Sequence, residues 1–126
     1  MIIYIYMNKS IAWDPPELKY KDLINDSYRK SRGGNAKLIT IYCAQCNCKI
    51  LLYQKDGKGN PYRCYIDRII YPAKYRISAD NIVSIKDVQP LKCDYCSNSI
   101  GTPMIYKKEK RLAFGLFKGK FYKRDN

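Results

Sequence analysis

The sequence contains no histidine. That absence removes Ser-His and Cys-His dyads, an imidazole general base and any His-ligated catalytic metal. Acidic residues are also scarce, 11 Asp plus Glu against 24 Lys plus Arg in 126 residues, and no set of three or four carboxylates suggests a nuclease metal site. No glycine-rich phosphate loop is present, because Gly33-Gly34 runs into Asn35-Ala36-Lys37 without the required spacing or Lys-Ser/Thr ending. No window approaches the ~20 apolar residues that cross a bilayer. Met1 to Met7 is apolar but has neither a basic start nor a small-residue cleavage site, so it does not read as a signal peptide. The expectation is a non-enzymatic protein that is intracellular and cytoplasmic and has no membrane partner.

What is present is charge of one sign, aromatic rings and cysteine. The formal net charge is +13, 46 % of residues are apolar and 13 % aromatic, enough for a modest core in a chain of this length. Residues 1–36 carry a net +2, residues 37–96 a net +5 and residues 97–126 a net +6. The chain divides accordingly into an N-terminal strand and helix (1–36), a β domain (37–106) and a basic, aromatic C-terminal segment (107–126) packed on that domain.

Residues 1–6 have strand composition. Asp14-Pro15-Pro16-Glu17 is a helix start, with a capping Asp, prolines in the first turn and Glu three residues after the cap. The pattern predicts a helix to about Arg32, with Leu18, Leu23, Ile24 and Tyr28 near one face and Gly33-Gly34 as its stop. From Lys37 the period becomes strand-like and leads directly into Cys43. Lys49 to Tyr53 and Tyr62 to Ile70 read as strands joined by the turn-rich Asp56-Gly57-Lys58-Gly59-Asn60-Pro61, a hairpin with a basic tip. Residues 82–85 and three short segments after Met104 read as further strands.

Cys43-Ala44-Gln45-Cys46 and Cys93-Asp94-Tyr95-Cys96 are two Cys-x-x-Cys motifs, each preceded and followed by a strand. In a reducing compartment such pairs favour metal over disulfides. The spacing lets two thiolates on one tight turn face the same ion, and two turns complete a tetrahedral four-cysteine site. Asn47 suits the left-handed position that ends such a turn, and Ser97-Asn98 takes a looser form of that part. On these residues the chain resembles the zinc-ribbon class of domains over residues 37–106. The resemblance implies Cys43, Cys46, Cys93 and Cys96 as ligands of one structural Zn2+, and an α+β fold: a small β-rich zinc-ribbon-like domain with one N-terminal helix. The 46 residues between the pairs exceed a common ribbon spacing of about 15 to 20, so the hairpin and residues 71–92 are expected to be an insertion.

Cys48 and Cys64 remain as small core residues, and on the expected hairpin they do not face each other. Alternatives are a site from Cys43, Cys46, Cys48 and Cys64, iron in the same four-thiolate site, and thiol exchange. The last expects its motif at a helix N-terminus, whereas both motifs here leave strands.

The C-terminal segment interleaves cations with rings. Lys107, Lys108, Lys110, Arg111, Lys118, Lys120, Lys123 and Arg124 are candidate phosphate contacts, and Tyr106, Phe117 and Tyr122 are candidate stacking rings. Lys55, Lys58 and Arg63 extend the basic set at the hairpin. Phe114 and Leu116 read as core on alternate strand positions. Asp56 and Asp67 read as turn and ion-pair residues before catalytic ones. The sequence therefore suggests a non-catalytic, zinc-stabilised protein that binds RNA or DNA, as an accessory of a translation, transcription or mobile-element assembly or a larger ribonucleoprotein complex. A protein-binding adaptor, whose thirteen tyrosines form an interface, and a thiol redox or metal-handling protein are the alternatives.

Overall fold

The β-branched and aromatic residues on either side of each Cys pair extend into strands that enter and leave a tight turn. The computed structural model describes residues 13–80 and 84–126, with backbone alone for 77–80. Among the described residues are eight strands: β1 (Ala36–Cys43), β2 (Lys49–Asp56), β3 (Arg63–Tyr65), β4 (Ile69–Tyr71), β5 (Leu91–Lys92), β6 (Ser99–Tyr106), β7 (Arg111–Leu116) and β8 (Phe121–Asp125). They form two antiparallel sheets of four strands, ordered β4-β2-β1-β8 and β3-β7-β6-β5. The two described α-helices are short, α1 (Ser27–Ser31) and α2 (Ala73–Asp80).

The two sheets exchange strands. β3 follows β2 in sequence but pairs with β7, placing Cys64 opposite Phe114. β8 closes the other sheet along β1, placing Tyr122 opposite Tyr42 and Phe121 opposite Cys43. One buried cluster joins the sheets, drawing Ile39, Ile41, Leu51 and Ile69 from the first and Leu91, Ile100, Phe114 and Leu116 from the second. Burying such side chains stabilises the fold by about 1.5–3 kcal/mol each. Phe114 and Leu116 are core residues, as their alternation predicts.

The protein is mostly β, which corrects the expected α+β class with one N-terminal helix. Residues 14–32 do not form one helix. They contain a 3-10 turn at Tyr20–Asp22 and then α1. Two local forces divide the segment. Asp26 accepts a hydrogen bond from the Arg29 backbone N–H and starts α1 afresh. Gln54, fully buried in β2, binds Ile24 at both backbone groups, accepting from its N–H and donating to its carbonyl at 2.8 Å each, so Ile24 is held as a strand edge would be.

The expected hairpin between residues 49–53 and 62–70 is also corrected. β2 pairs with β1 and, through Leu52 and Tyr53, with β4, while β3 crosses to the second sheet. The tight turn after Asp56 is real, but it directs the chain from one sheet to the other. Gly57 makes that crossing feasible: its φ is +75°, and a Cβ there would lie 2.7 Å from the Arg32 carbonyl oxygen. The strand expected at 1–6 lies outside the described residues, as do residues 82 and 83 of the one expected at 82–85. Ser84 caps a 3-10 turn at Ile85–Asp87.

Candidate metal centre and basic surface

Cys43 ends β1, and Cys46 sits in the turn that leads to β2. Cys93 follows β5, and Cys96 sits in the turn that leads to β6. The two turns have the same bonding. Cys43 N–H donates to the Cys48 carbonyl at 2.9 Å and Asn47 N–H to the Cys43 carbonyl at 2.8 Å; Cys93 N–H donates to the Asn98 carbonyl and Ser97 N–H to the Cys93 carbonyl, both at 2.9 Å. Each pattern closes on a residue with φ of 63°, Asn47 in one turn and Ser97 in the other. Asn47 fills this position as expected; Ser97, not Asn98, fills its counterpart.

The turns bring four sulfurs together. Cys43, Cys46, Cys93 and Cys96 Sγ all lie within 4.8 Å of one another, with Cys43 to Cys96 and Cys46 to Cys93 at 3.5 Å. These separations exceed the ~2.05 Å of a disulfide. Zn–S bonds of about 2.3 Å in a tetrahedron require sulfurs roughly 3.8 Å apart, so the four residues fit one ion. Cys43 and Cys93 are buried, while Cys46 and Cys96 are half-buried. Burial raises the Cys43 pKa, but N–H groups of Cys46 and Gln45 and the Asn98 amide outweigh it and hold the thiol down to about 6. Burial dominates at Cys46 and Cys93 and pushes both up. A bound cation would therefore have one sulfur already inclined to be thiolate and would draw the protons from the others.

A third segment braces the centre. The Lys120 carbonyl accepts from Ala44 N–H at 3.0 Å in the first turn and from the Asn98 side chain at 3.3 Å in the second. The same Asn98 amide donates to Cys43 Sγ at 3.5 Å. Asn98 was legible only as a turn residue; its second role depends on the approach of the other turn. Cys48 and Cys64 lie outside the cluster. Cys48 donates to the Cys46 carbonyl and Cys64 to the Pro61 carbonyl, each at 3.7 Å, and Cys64 is fully buried, which raises its pKa.

The basic residues separate into distinct environments. Lys107, Lys108, Lys110, Lys118, Lys120 and Arg124 are exposed. Lys123 is half-buried and pairs with Asp125 at 3.7 Å. Arg111, only 4 % exposed, is internal: Asp67 and Glu109 bind it at 2.7 and 3.1 Å, and the Tyr28 and Tyr65 rings lie 3.9 and 3.8 Å from its guanidinium carbon. Its charge is satisfied within the fold. Asp67 is thus an ion-pair residue, and Asp56 pairs with the buried Arg68 at 2.8 Å.

The rings separate similarly. Tyr106 is covered by Arg63, whose guanidinium carbon lies 3.7 Å from the ring centroid. Phe117 is exposed. Tyr122 stacks on Tyr42 with centroids 5.0 Å apart and planes 2° from parallel, and its hydroxyl lies 3.0 Å from Asn47 Oδ1. Tyr42 has no signal in the sequence beyond its place before Cys43, because its partner is 80 residues away. Lys55, Lys58 and Arg63 converge on one cavity of about 160 Å3.

Among the described residues no helix is long and apolar enough to cross a membrane. Comparisons with protein-family models, curated proteins and solved structures find no match.

Proposed function

We propose that this is a non-catalytic nucleic-acid-binding protein whose two sheets are pinned by one structural zinc ion, a zinc-ribbon-like centre in a larger β framework. The observation that carries the reading is the convergence of four sulfurs from two identically bonded turns. With four thiolate ligands a tetrahedral zinc has no open position, so the ion's work is structural. Apparent binding energies for such sites are roughly 10–16 kcal/mol, comparable to the whole stability of a small domain.

The excess positive charge supports nucleic acid as the partner. Six exposed cations between Lys107 and Arg124 suit phosphate neutralisation, and the Tyr42-Tyr122 stack and exposed Phe117 offer flat faces to unpaired bases. Elemental analysis of protein purified under reducing conditions, with titration against single-stranded RNA and DNA over a salt series, tests both parts. One zinc per chain and an affinity that falls steeply with salt are expected. Folded metal-free protein would overturn the first part, and a flat salt dependence the second.

A further inference from the structure

The crossing from β2 to β3 leaves a cavity of about 160 Å3 whose lining includes Arg32, Tyr53, Lys55, Asp56, Lys58 and Arg63. Its acid is already occupied: Asp56 accepts from Arg68 Nε at 2.8 Å and from the Gln54 amide at 2.9 Å. Arg32 is likewise matched, by Glu109 at 2.8 Å. Lys55, Lys58 and Arg63 are not: among the described residues none of them pairs with a carboxylate. Arg63 Nε is buried and has no hydrogen-bond partner among the described residues. Lys55 is only 5 % exposed and donates to the Gly57 carbonyl at 2.7 Å. Burial, with Lys37 and Lys123 repelling it, holds the Lys55 ammonium below its usual pKa.

Three cations without a carboxylate partner around one small concavity raise the free energy of the empty site, and an anion that fits would lower it. The donor chemistry selects the anion. A guanidinium with a free Nε–H, two ammonium groups and no unpaired carboxylate suit a compact oxyanion with several acceptor oxygens. Tyr53 adds a hydroxyl that accepts from Tyr65 N–H at 2.9 Å, which leaves its own proton to donate.

We infer that the cavity bounded by Lys55, Lys58 and Arg63 binds a phosphate monoester, the terminal phosphate of the nucleic acid proposed above. The inference rests on that reading for the source of the phosphate, not for the site. A terminal phosphate can enter a concavity because it is linked on one side only, whereas an internal phosphodiester is held along a surface by neighbours on both sides. The exposed lysines of the C-terminal segment would track the backbone while this cavity holds the end.

The test uses the zinc-loaded full chain and one short single-stranded RNA with either a 5′-phosphate or a 5′-hydroxyl, followed by fluorescence anisotropy. Inorganic phosphate is titrated in parallel by 31P line broadening. The phosphorylated strand is expected to bind roughly 10- to 100-fold tighter, and Arg63→Gln and Lys58→Gln should each erase most of that preference, weakening the phosphorylated strand far more than the hydroxyl strand. Lys58 is exposed, so its variant reports even if Arg63→Gln disturbs packing against Tyr106. Equal binding of both strands would overturn the cavity assignment and leave the nucleic-acid reading standing. Broadening of inorganic phosphate that Lys58→Gln abolishes, with neither strand bound, would keep the site and overturn nucleic acid as its source.

Discussion

The Asn98 side-chain amide donates to the Cys43 sulfur at 3.5 Å across 55 residues of sequence. Through this bond a residue of one Cys turn orients a candidate metal-binding sulfur of the other, and the Lys120 carbonyl holds the same amide in place. Groups that fix metal ligands in this way typically contribute 10- to 100-fold to affinity. Asn98→Ala is therefore expected to weaken zinc binding by about that factor, read by competition with a chromophoric chelator. Unchanged affinity would remove Asn98 from the metal centre.

The six cysteines should divide into four and two. Cys93→Ser is expected to abolish stoichiometric zinc and cooperative unfolding together. Cys64→Ala should keep one zinc per chain and lower stability by roughly 1 kcal/mol, the effect of a small buried cavity. Zinc loss in the Cys64 variant would reinstate the alternative ligand set.

Glu109 gives a pH signature. The hydrogen bond from Arg32 is the main cause of its depressed pKa, with burial opposing and Arg111 assisting. A carboxylate whose folded pKa lies below its unfolded value of about 4.3 contributes stability above that pH and loses it as pH falls through the folded value. The stability gap between the native protein and Glu109→Gln should be flat from pH 8 to about 5.5 and should narrow below about 4.3. Narrowing between pH 7 and 6 would show that Glu109 is not held in this way.

Gly57 and Gly59 form a matched pair. Both have positive φ, 75° and 103°, but only at Gly57 would a Cβ strike backbone, the Arg32 carbonyl. Gly57→Ala is expected to lower stability by more than about 1 kcal/mol, and Gly59→Ala by less, in thermal melts of zinc-loaded protein. Equal effects would mean that backbone strain alone matters here.

Salt dependence separates exposed from internal cations. Replacing Lys108 or Lys118 with Gln should each reduce the slope of log affinity against log salt by about 1. Arg111→Gln should lower stability instead, because it leaves Asp67 and Glu109 without their shared partner. A slope change of the same size in a folded Arg111 variant would place that side chain at the phosphate surface.

The Cys turns were legible because their chemistry is local: two cysteines three apart, a residue that tolerates positive φ, and strand-forming residues on both sides. The break in the N-terminal helix was not read from the sequence, although the Asp26 cap that starts α1 afresh is local. The Pro-Pro start obscured it, and the decisive partner, Gln54, lies 30 residues from Ile24. Strand exchange was not legible. Residues 63–65 have the composition of a hairpin strand, and nothing local says that Cys64 faces Phe114 instead of Leu51. Arg111 was unreadable for the same reason, since it sits in a basic run while Asp67, Tyr28 and Tyr65 reach it from other segments.

The exchanged strands bear on how the chain is made. Cys46, the second cysteine of the first pair, leaves the ribosome ahead of Cys93 by 47 residues, a delay of roughly 2 to 9 s at ordinary elongation rates. During that interval the first pair is half a site, and β1 lacks its neighbour β8, which is translated later still. The nascent first sheet is therefore an open edge with two unpartnered thiols, and it closes only once residues 121–125 have emerged.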